Sequence, residues 1–217
     1  MQTTKPTIIA IAGASASGKT LFAQTIFEEL LPELGEESIS IIKEDSYYKD
    51  QSNLSMDERV LTNYDHPNAF EHTLMSSHLS ELLLGNQVEC PIYCYKTHTR
   101  TELTTPISST PIILVEGILL FSNPELREKF DIKVYMDTPL DICLLRRIER
   151  DTQERGRSIE SITSQYLETV RPMYYQHIEP EKSWADIVIT RGGKNRMAIE
   201  VLKAKIRQLM HHKQLTV

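Results

Sequence analysis

Eight residues, GASASGKT from Gly13 to Thr20, fit the spacing G-x-x-x-x-G-K-[ST], and they stand between a buried apolar run and the start of a helical pattern. Those types suit a phosphate group. Gly13 and Gly18, with the small Ala14, Ser15, Ala16 and Ser17 between them, let main-chain N–H groups close around phosphate oxygens. The helix start favours anions, Lys19 reaches the outer phosphates, and Thr20 offers a hydroxyl to Mg²⁺. A chance match in a chain this long has a probability of roughly 1%.

A phosphate loop binds a nucleotide without saying what becomes of it. In ILVEG, Glu116 closes an apolar run and is placed to hold a metal's water shell, or it is a charge at an exposed strand end. In KEDSYY, Asp45 could take a proton from an attacking hydroxyl, and Glu44 is its rival because spacing alone does not say which side chain faces a cleft. Arg146, Arg147, Arg150, Arg155 and Arg157 crowd twelve residues around Gly156. Alone they would read as a solvated helix face paired with Glu149, Asp151 and Glu154. Beside a phosphate loop they read as a mobile segment that closes over the nucleotide and stabilises charge on the transferring group. PIYCYKTHTR, residues 91–100, is either an ordinary strand or the wall of a pocket for a flat polar molecule. Alternation puts Tyr93 and Tyr95 on one face and Cys94 on the other, with His98 and Arg100 beyond.

The elements that must carry these residues alternate. Strands are expected at 7–13, 38–45, 111–117, 130–139 and 185–193, with strand or hairpin material at 88–106. Helices are expected at 20–31 (stopping at Pro32), 72–85 (closed by Gly85), 140–151, from Ser158 to about Ile178, and 195–210. Ser55 and Glu58 have capping-box spacing for a short helix. Strands alternating with helices imply an α/β fold with a mostly parallel sheet covered on both faces. The chain, 1–217, is expected to form one domain.

Composition excludes several classes. The 24 basic and 30 acidic residues give a net charge of -6, which argues against wrapping a nucleic acid polymer. Cys90, Cys94 and Cys143 make an odd number without zinc spacing, so free thiols in a reducing compartment are expected. The start MQTTKP lacks the pattern of a secretory leader, and the longest apolar run is broken by Glu116. A soluble, cytoplasmic protein away from the membrane is the expectation.

Taken together, GASASGKT, EDSYYKD, NYDHPNAF, PIYCYKTHTR, VEGILL, DTPLDICLLRRIERDTQERGR, SQYLETVRPM and ADIVITRGGKN resemble the uridine-cytidine kinase family along nearly the whole chain, in order and spacing. The resemblance implies a P-loop kinase fold with a small acceptor-binding β-hairpin (about 88–106) and a helical lid (about 150–160). It implies transfer of the γ-phosphoryl group of ATP or GTP, with Mg²⁺, to the 5'-hydroxyl of uridine or cytidine. Carried over by position, Asp45 would be the general base and Tyr48 would line the acceptor site. Asp65 and Arg147 would bind the ribose hydroxyls. Tyr93 and His98 would contact the polar edge of the pyrimidine, Tyr64 and Tyr95 would line the base pocket, and Gln165 with Arg157 would complete it. Arg150 and Arg155 would belong to the lid, with Lys19 on the donor phosphates and Thr20 and Glu116 near the metal. Tetramers and feedback by CTP or UTP are implied by the family only. Cys94 is a departure, because many relatives have aspartate there. Rival readings are a related kinase acting on another small acceptor, such as a phosphoribulokinase or pantothenate kinase, and a non-catalytic nucleotide switch. YCYKTHTR and Asp65 of the DHP stretch disfavour the first, and Asp45 and the lid arginines disfavour the second.

Overall fold

The computed structural model describes residues 5–215, and side chains through residue 213; the leader expectation rests partly on Met1–Thr4, outside that range. Five strands form a parallel sheet: β1 (Thr7–Gly13), β2 (Ile39–Lys43), β5 (Ile112–Gly117), β6 (Ile132–Asp137) and β7 (Ile187–Thr190), in the spatial order β2-β5-β1-β6-β7. Two more strands, β3 (Val88–Cys94) and β4 (Thr99–Ile107), make a separate antiparallel hairpin.

Period-two alternation decides which helix covers which face. Ile8, Ala10, Ile113 and Val115 pack with Met75, Leu79 and Leu82 of α3 (His72–Leu83). The intervening Ile9, Ile11, Ile112 and Leu114 pack against the other face. There α1 (Lys19–Leu34) supplies Phe22, Ile26 and Leu30, and α8 (Arg196–Leu215) supplies Ile199, Leu202 and Ile206. Each set recurs every three or four residues, the spacing of one helical face. The remaining helices are α2 (Met56–Val60), α4 (Pro124–Arg127), α5 (Leu140–Gln153), α6 (Ile159–Gln165) and the single turn α7 (Arg171–Met173).

Several expected boundaries change. Pro32 does not end α1, since proline in the last turn forfeits one ladder bond and Gly35 closes the helix with its N–H on the Leu31 carbonyl. β2 stops at Lys43, and Glu44–Tyr47 form a 3₁₀ turn. The helix expected from Ser158 to Ile178 is one helical run broken by two wide π turns, Tyr166–Val170 and Tyr174–Ile178. β7 is shorter than 185–193, and α4 carried no periodic signal. The Ser55–Glu58 capping box forms with both reciprocal bonds. No helix among the described residues is long and apolar enough to cross a membrane.

With β1 flanked by β5 on one side and β6 on the other, the carboxyl ends of the strands open onto a crevice where ligands bind in such sheets.

Candidate active site

The loop from β1 to α1 turns under that crevice. Gly13 and Gly18 have φ of 143° and 102°, and a Cβ on Gly18 would lie 2.5 Å from the Gly193 nitrogen, so the chain around Gly192–Gly193 closes on the loop only because Gly18 has no side chain. Lys19 is buried, with Nζ donating to the Ala14 carbonyl at 3.0 Å. Thr20 Oγ1 donates to Glu116 Oε1 at 2.9 Å. Burial raises the Glu116 carboxyl above its usual range, against the pull of Lys19. A hydroxyl and a carboxylate converging beside a phosphate loop fit Mg²⁺, which takes few protein oxygens and completes its shell with phosphate and water. Among the described residues no cluster of three or more His, Cys, Asp or Glu forms a metal cage.

A cavity of about 1300 Å³ spans the crevice. Ordinary single-ligand sites run to roughly 1,000 Å³, so the space suits two substrates side by side. Its wall includes Ser15, Ala16, Gly18, Lys19 and Thr20 from the loop, whereas Gly13, Ala14 and Ser17 lie behind it. Asp45, Tyr48, Tyr64, Asp65, Tyr93, Tyr95, His98, Glu116, Arg147, Arg150, Arg155, Arg157 and Gln165 all line the same cavity.

Glu44 and Asp45 part company in the 3₁₀ turn. Glu44 is fully buried, accepts the amides of Ile118 and Leu119 at 2.6 and 2.9 Å, and sits 2.8 Å from His72 Nε2. It fastens the chain after β5. Asp45 is on the cavity wall and accepts a hydrogen bond from the Tyr95 hydroxyl at 2.5 Å.

The hairpin forms an aromatic wall. Tyr48 is stacked on Phe70 at 4.2 Å between centroids and lies 4.9 Å from Tyr93 and 5.3 Å from Tyr64. The β3–β4 pairing shifts register between Pro91 and Tyr93, and β3 ends at Cys94, so Tyr95 to His98 form the turn rather than more strand. For that reason Cys94, which alternation alone turns away from Tyr93 and Tyr95, also joins the lining. Burial, followed by Arg157, Arg155 and Arg59, lowers the His98 pKa and keeps its imidazole neutral near pH 7. Arg100 is structural: its guanidinium bonds the Tyr48 and Tyr47 carbonyls and pairs with Glu71.

Asp65 and Arg147 are both buried. Burial raises the Asp65 carboxyl, with Arg147 pulling the other way, and its carboxylate makes no hydrogen bond among the described residues. Gln165 Oε1 accepts from Arg157 at 2.6 Å and from Arg147 at 3.1 Å.

Two participants, Asp151 and Gln51, escape sequence reasoning, and Arg146, expected in the closing arginine segment, takes a different place. Asp151, which spacing assigns to a solvated helix face, has no exposed surface and lies 2.8 to 3.7 Å from guanidinium nitrogens of Arg147, Arg150, Arg155 and Arg157. Arg146 NH1 donates to the Ser17 carbonyl at 3.3 Å and so braces the phosphate loop. Gln51 Nε2 donates to the Tyr64 hydroxyl at 2.7 Å and to the His98 carbonyl at 3.2 Å, tying two wall residues together. The only sequence signal was the arginine density around Asp151.

A parallel sheet with a phosphate loop at β1, a carboxylate at the end of β5 and an arginine-bearing segment over the crevice define a P-loop kinase. The chain belongs to the phosphoribulokinase / uridine kinase family, whose sequence model matches residues 8–198. A uridine kinase of Vibrio cholerae serotype O1 is 59% identical over 203 residues, covering 94% of this chain and 95% of that protein. One from Shewanella pealeana is 57% identical over 203 residues, covering 94% and 96%. Among solved structures, a phosphoribulokinase from Rhodobacter spheroides superposes with a TM-score of 0.66 at 19% identity, covering 86% of this chain and 70% of that one. A possible uridine kinase from Bacillus stearothermophilus gives 0.55 at 19%, covering 87% and 91%. These two likenesses concern the fold.

Proposed function

We propose that this chain is a uridine kinase that transfers the γ-phosphoryl group of ATP or GTP to the 5'-hydroxyl of uridine or cytidine, giving UMP or CMP for pyrimidine salvage. The observation that carries the reading is the kinship with uridine kinases at 57–59% identity over 94% of the chain. The geometry of the cavity supports it.

The donor phosphates lie on the loop amides and Lys19, with Arg150 and Arg155 closing from the lid. Thr20 and Glu116 would hold Mg²⁺, which would neutralise phosphate charge there. Asp45 accepts the proton of the 5'-hydroxyl as that oxygen attacks the γ-phosphorus. Asp65 and Arg147 hold the ribose hydroxyls. Tyr93 and His98 meet the pyrimidine edge, while Tyr48, Tyr64 and Tyr95 line the acceptor side with Gln165 and Arg157. A neutral His98 offers one donor and one acceptor nitrogen, which suits bases that present an oxygen or an amino group at position 4. The whole chain acts as one kinase domain, in the cytoplasm, as a homotetramer.

The test is a steady-state panel of uridine, cytidine, ribulose 5-phosphate and pantothenate against ATP and GTP, with and without Mg²⁺. Turnover of uridine or cytidine alone, dependent on Mg²⁺, is expected. Turnover of a sugar phosphate alone would move the chain to the phosphoribulokinase side of its family, and no turnover at all would favour a nucleotide switch.

A further inference from the structure

Tyr95 occupies the first position after β3 and makes two contacts that a pocket-lining residue does not need. Its hydroxyl donates to Asp45 Oδ2 at 2.5 Å, and the Arg155 guanidinium lies over its ring, 4.3 Å from the centroid. Tyr93 supports the ring edge-on at 5.3 Å. The other Asp45 oxygen, Oδ1, accepts no hydrogen bond among the described residues. Asp45 sits half-buried in a 3₁₀ turn, and its side chain makes no other hydrogen bond among the described residues. Although Tyr95 as a whole is exposed, desolvation around the phenol and the Asp45 charge raise it above its usual range, so it stays a donor through neutral pH.

We propose that Tyr95 is a positioning residue for phosphoryl transfer: it fixes Asp45 with Oδ2 engaged and Oδ1 open to the acceptor hydroxyl, and it ties that orientation to Arg155 of the lid. A short bond between a neutral donor and a carboxylate is directional, and a base misplaced by a rotation loses reach to the proton it must take. The arginine above the ring makes the hold depend on where the lid stands, so acceptor and donor sides share one side chain. The inference rests on Asp45 being the base.

The decisive comparison uses the full-length protein with Tyr95→Phe, Asp45→Asn and the double variant. Tyr95→Phe keeps the ring under Arg155 and deletes the hydroxyl. Its single-turnover rate should fall about tenfold, with uridine and donor-analogue Kd unchanged within about twofold. Because Tyr95 acts through Asp45, the double variant should be no slower than Asp45→Asn alone. Tyr95→Leu, which also removes the ring, should be slower than Tyr95→Phe; equal rates would overturn the link to Arg155. An unchanged Tyr95→Phe rate, a loss of uridine affinity in step with the rate, or multiplicative effects in the double variant would overturn the positioning role. Near wild-type turnover by Asp45→Asn would instead sink the assignment of the base itself.

Discussion

Glu44 and Asp45 are consecutive carboxylates with opposite surroundings: Glu44 is sealed in the core against His72 at 2.8 Å, and Asp45 stands on the wall of the substrate cavity. The 3₁₀ turn after β2 rotates one inward and the other outward. Substitutions at the two sites should therefore fail in different ways. Asp45→Asn should lower kcat by about 10² to 10⁴ with little change in uridine Kd or in melting temperature. Glu44→Ala leaves the Ile118 and Leu119 amides unpaired, at about 1 to 3 kcal/mol each, and should lower Tm by several degrees. Single-turnover kinetics and calorimetric melting of both variants check this; equal kinetic losses without a melting difference would contradict it.

Asp151 anchors four arginines whose side chains remain partly exposed at 28–29% for three of them. Asp151→Asn removes a buried negative charge that faces four guanidinium groups. It should cost about 2 to 4 kcal/mol of stability, below the range for a fully buried pair because solvent reaches three of the partners. Nucleoside and donor KM should both rise, since the proposed function sets Arg147 and Arg157 on the nucleoside and Arg150 and Arg155 on the donor phosphates. Inorganic phosphate should recover more melting temperature in the variant than in the parent. A variant that melts like the parent would return Asp151 to an ordinary surface pairing.

His98 supplies the pH prediction. Burial and three arginines depress its pKa, so the folded, competent enzyme carries it neutral above its ordinary value of 6.5, and protonation sets in only below that pH. The sign follows: its contribution to stability and base reading is constant through neutral and alkaline pH and is lost as pH falls. The ratio of kcat/KM for uridine to that for cytidine should be flat from pH 7 to 8.5. His98→Ala should change at least one of the two values by roughly tenfold and alter their ratio, because O4 accepts a hydrogen bond and N4 donates one. A selectivity that swings through neutral pH, or unchanged kinetics for both nucleosides, would remove His98 from the base site.

The strand and helix frame was legible because buried strands repeat every two residues and covering helices every three or four, as Ile9 and Ile11 against Phe22, Ile26 and Leu30 illustrate. The phosphate loop was legible because its mechanism fixes both residue types and spacing. The side chains of Glu44 and Asp45 were not, since a one-turn change from strand to 3₁₀ geometry reverses which faces the cleft. Neither was the burial of Asp151, which depends on Arg157 folding back past Gly156, nor the reach of Arg146 to Ser17 across 129 positions. The Tyr95 hydroxyl on Asp45 joins residues 50 positions apart, and the resemblance placed that ring only in the base pocket. Pro32 does not mark the helix end, because a proline in the last turn costs one ladder bond while Gly35 closes the helix.

The proposed acceptor is a ribonucleoside held by its sugar hydroxyls at Asp65 and Arg147, and kcat/KM for uridine against 2'-deoxyuridine tests this with the unmodified protein. Both residues are buried, and the Asp65 carboxylate makes no hydrogen bond among the described residues, so losing the 2'-hydroxyl leaves a buried polar group unpaired. A site built to bond a hydroxyl rejects the analogue lacking it strongly. The expected result is a kcat/KM for deoxyuridine at least about 10²-fold below that for uridine, equivalent to roughly 3 kcal/mol, with the gap narrowed by Asp65→Ala chiefly through damage to uridine. Equal turnover of the two nucleosides would remove Asp65 from the ribose site and point to a deoxynucleoside kinase or to an acceptor that is not a nucleoside.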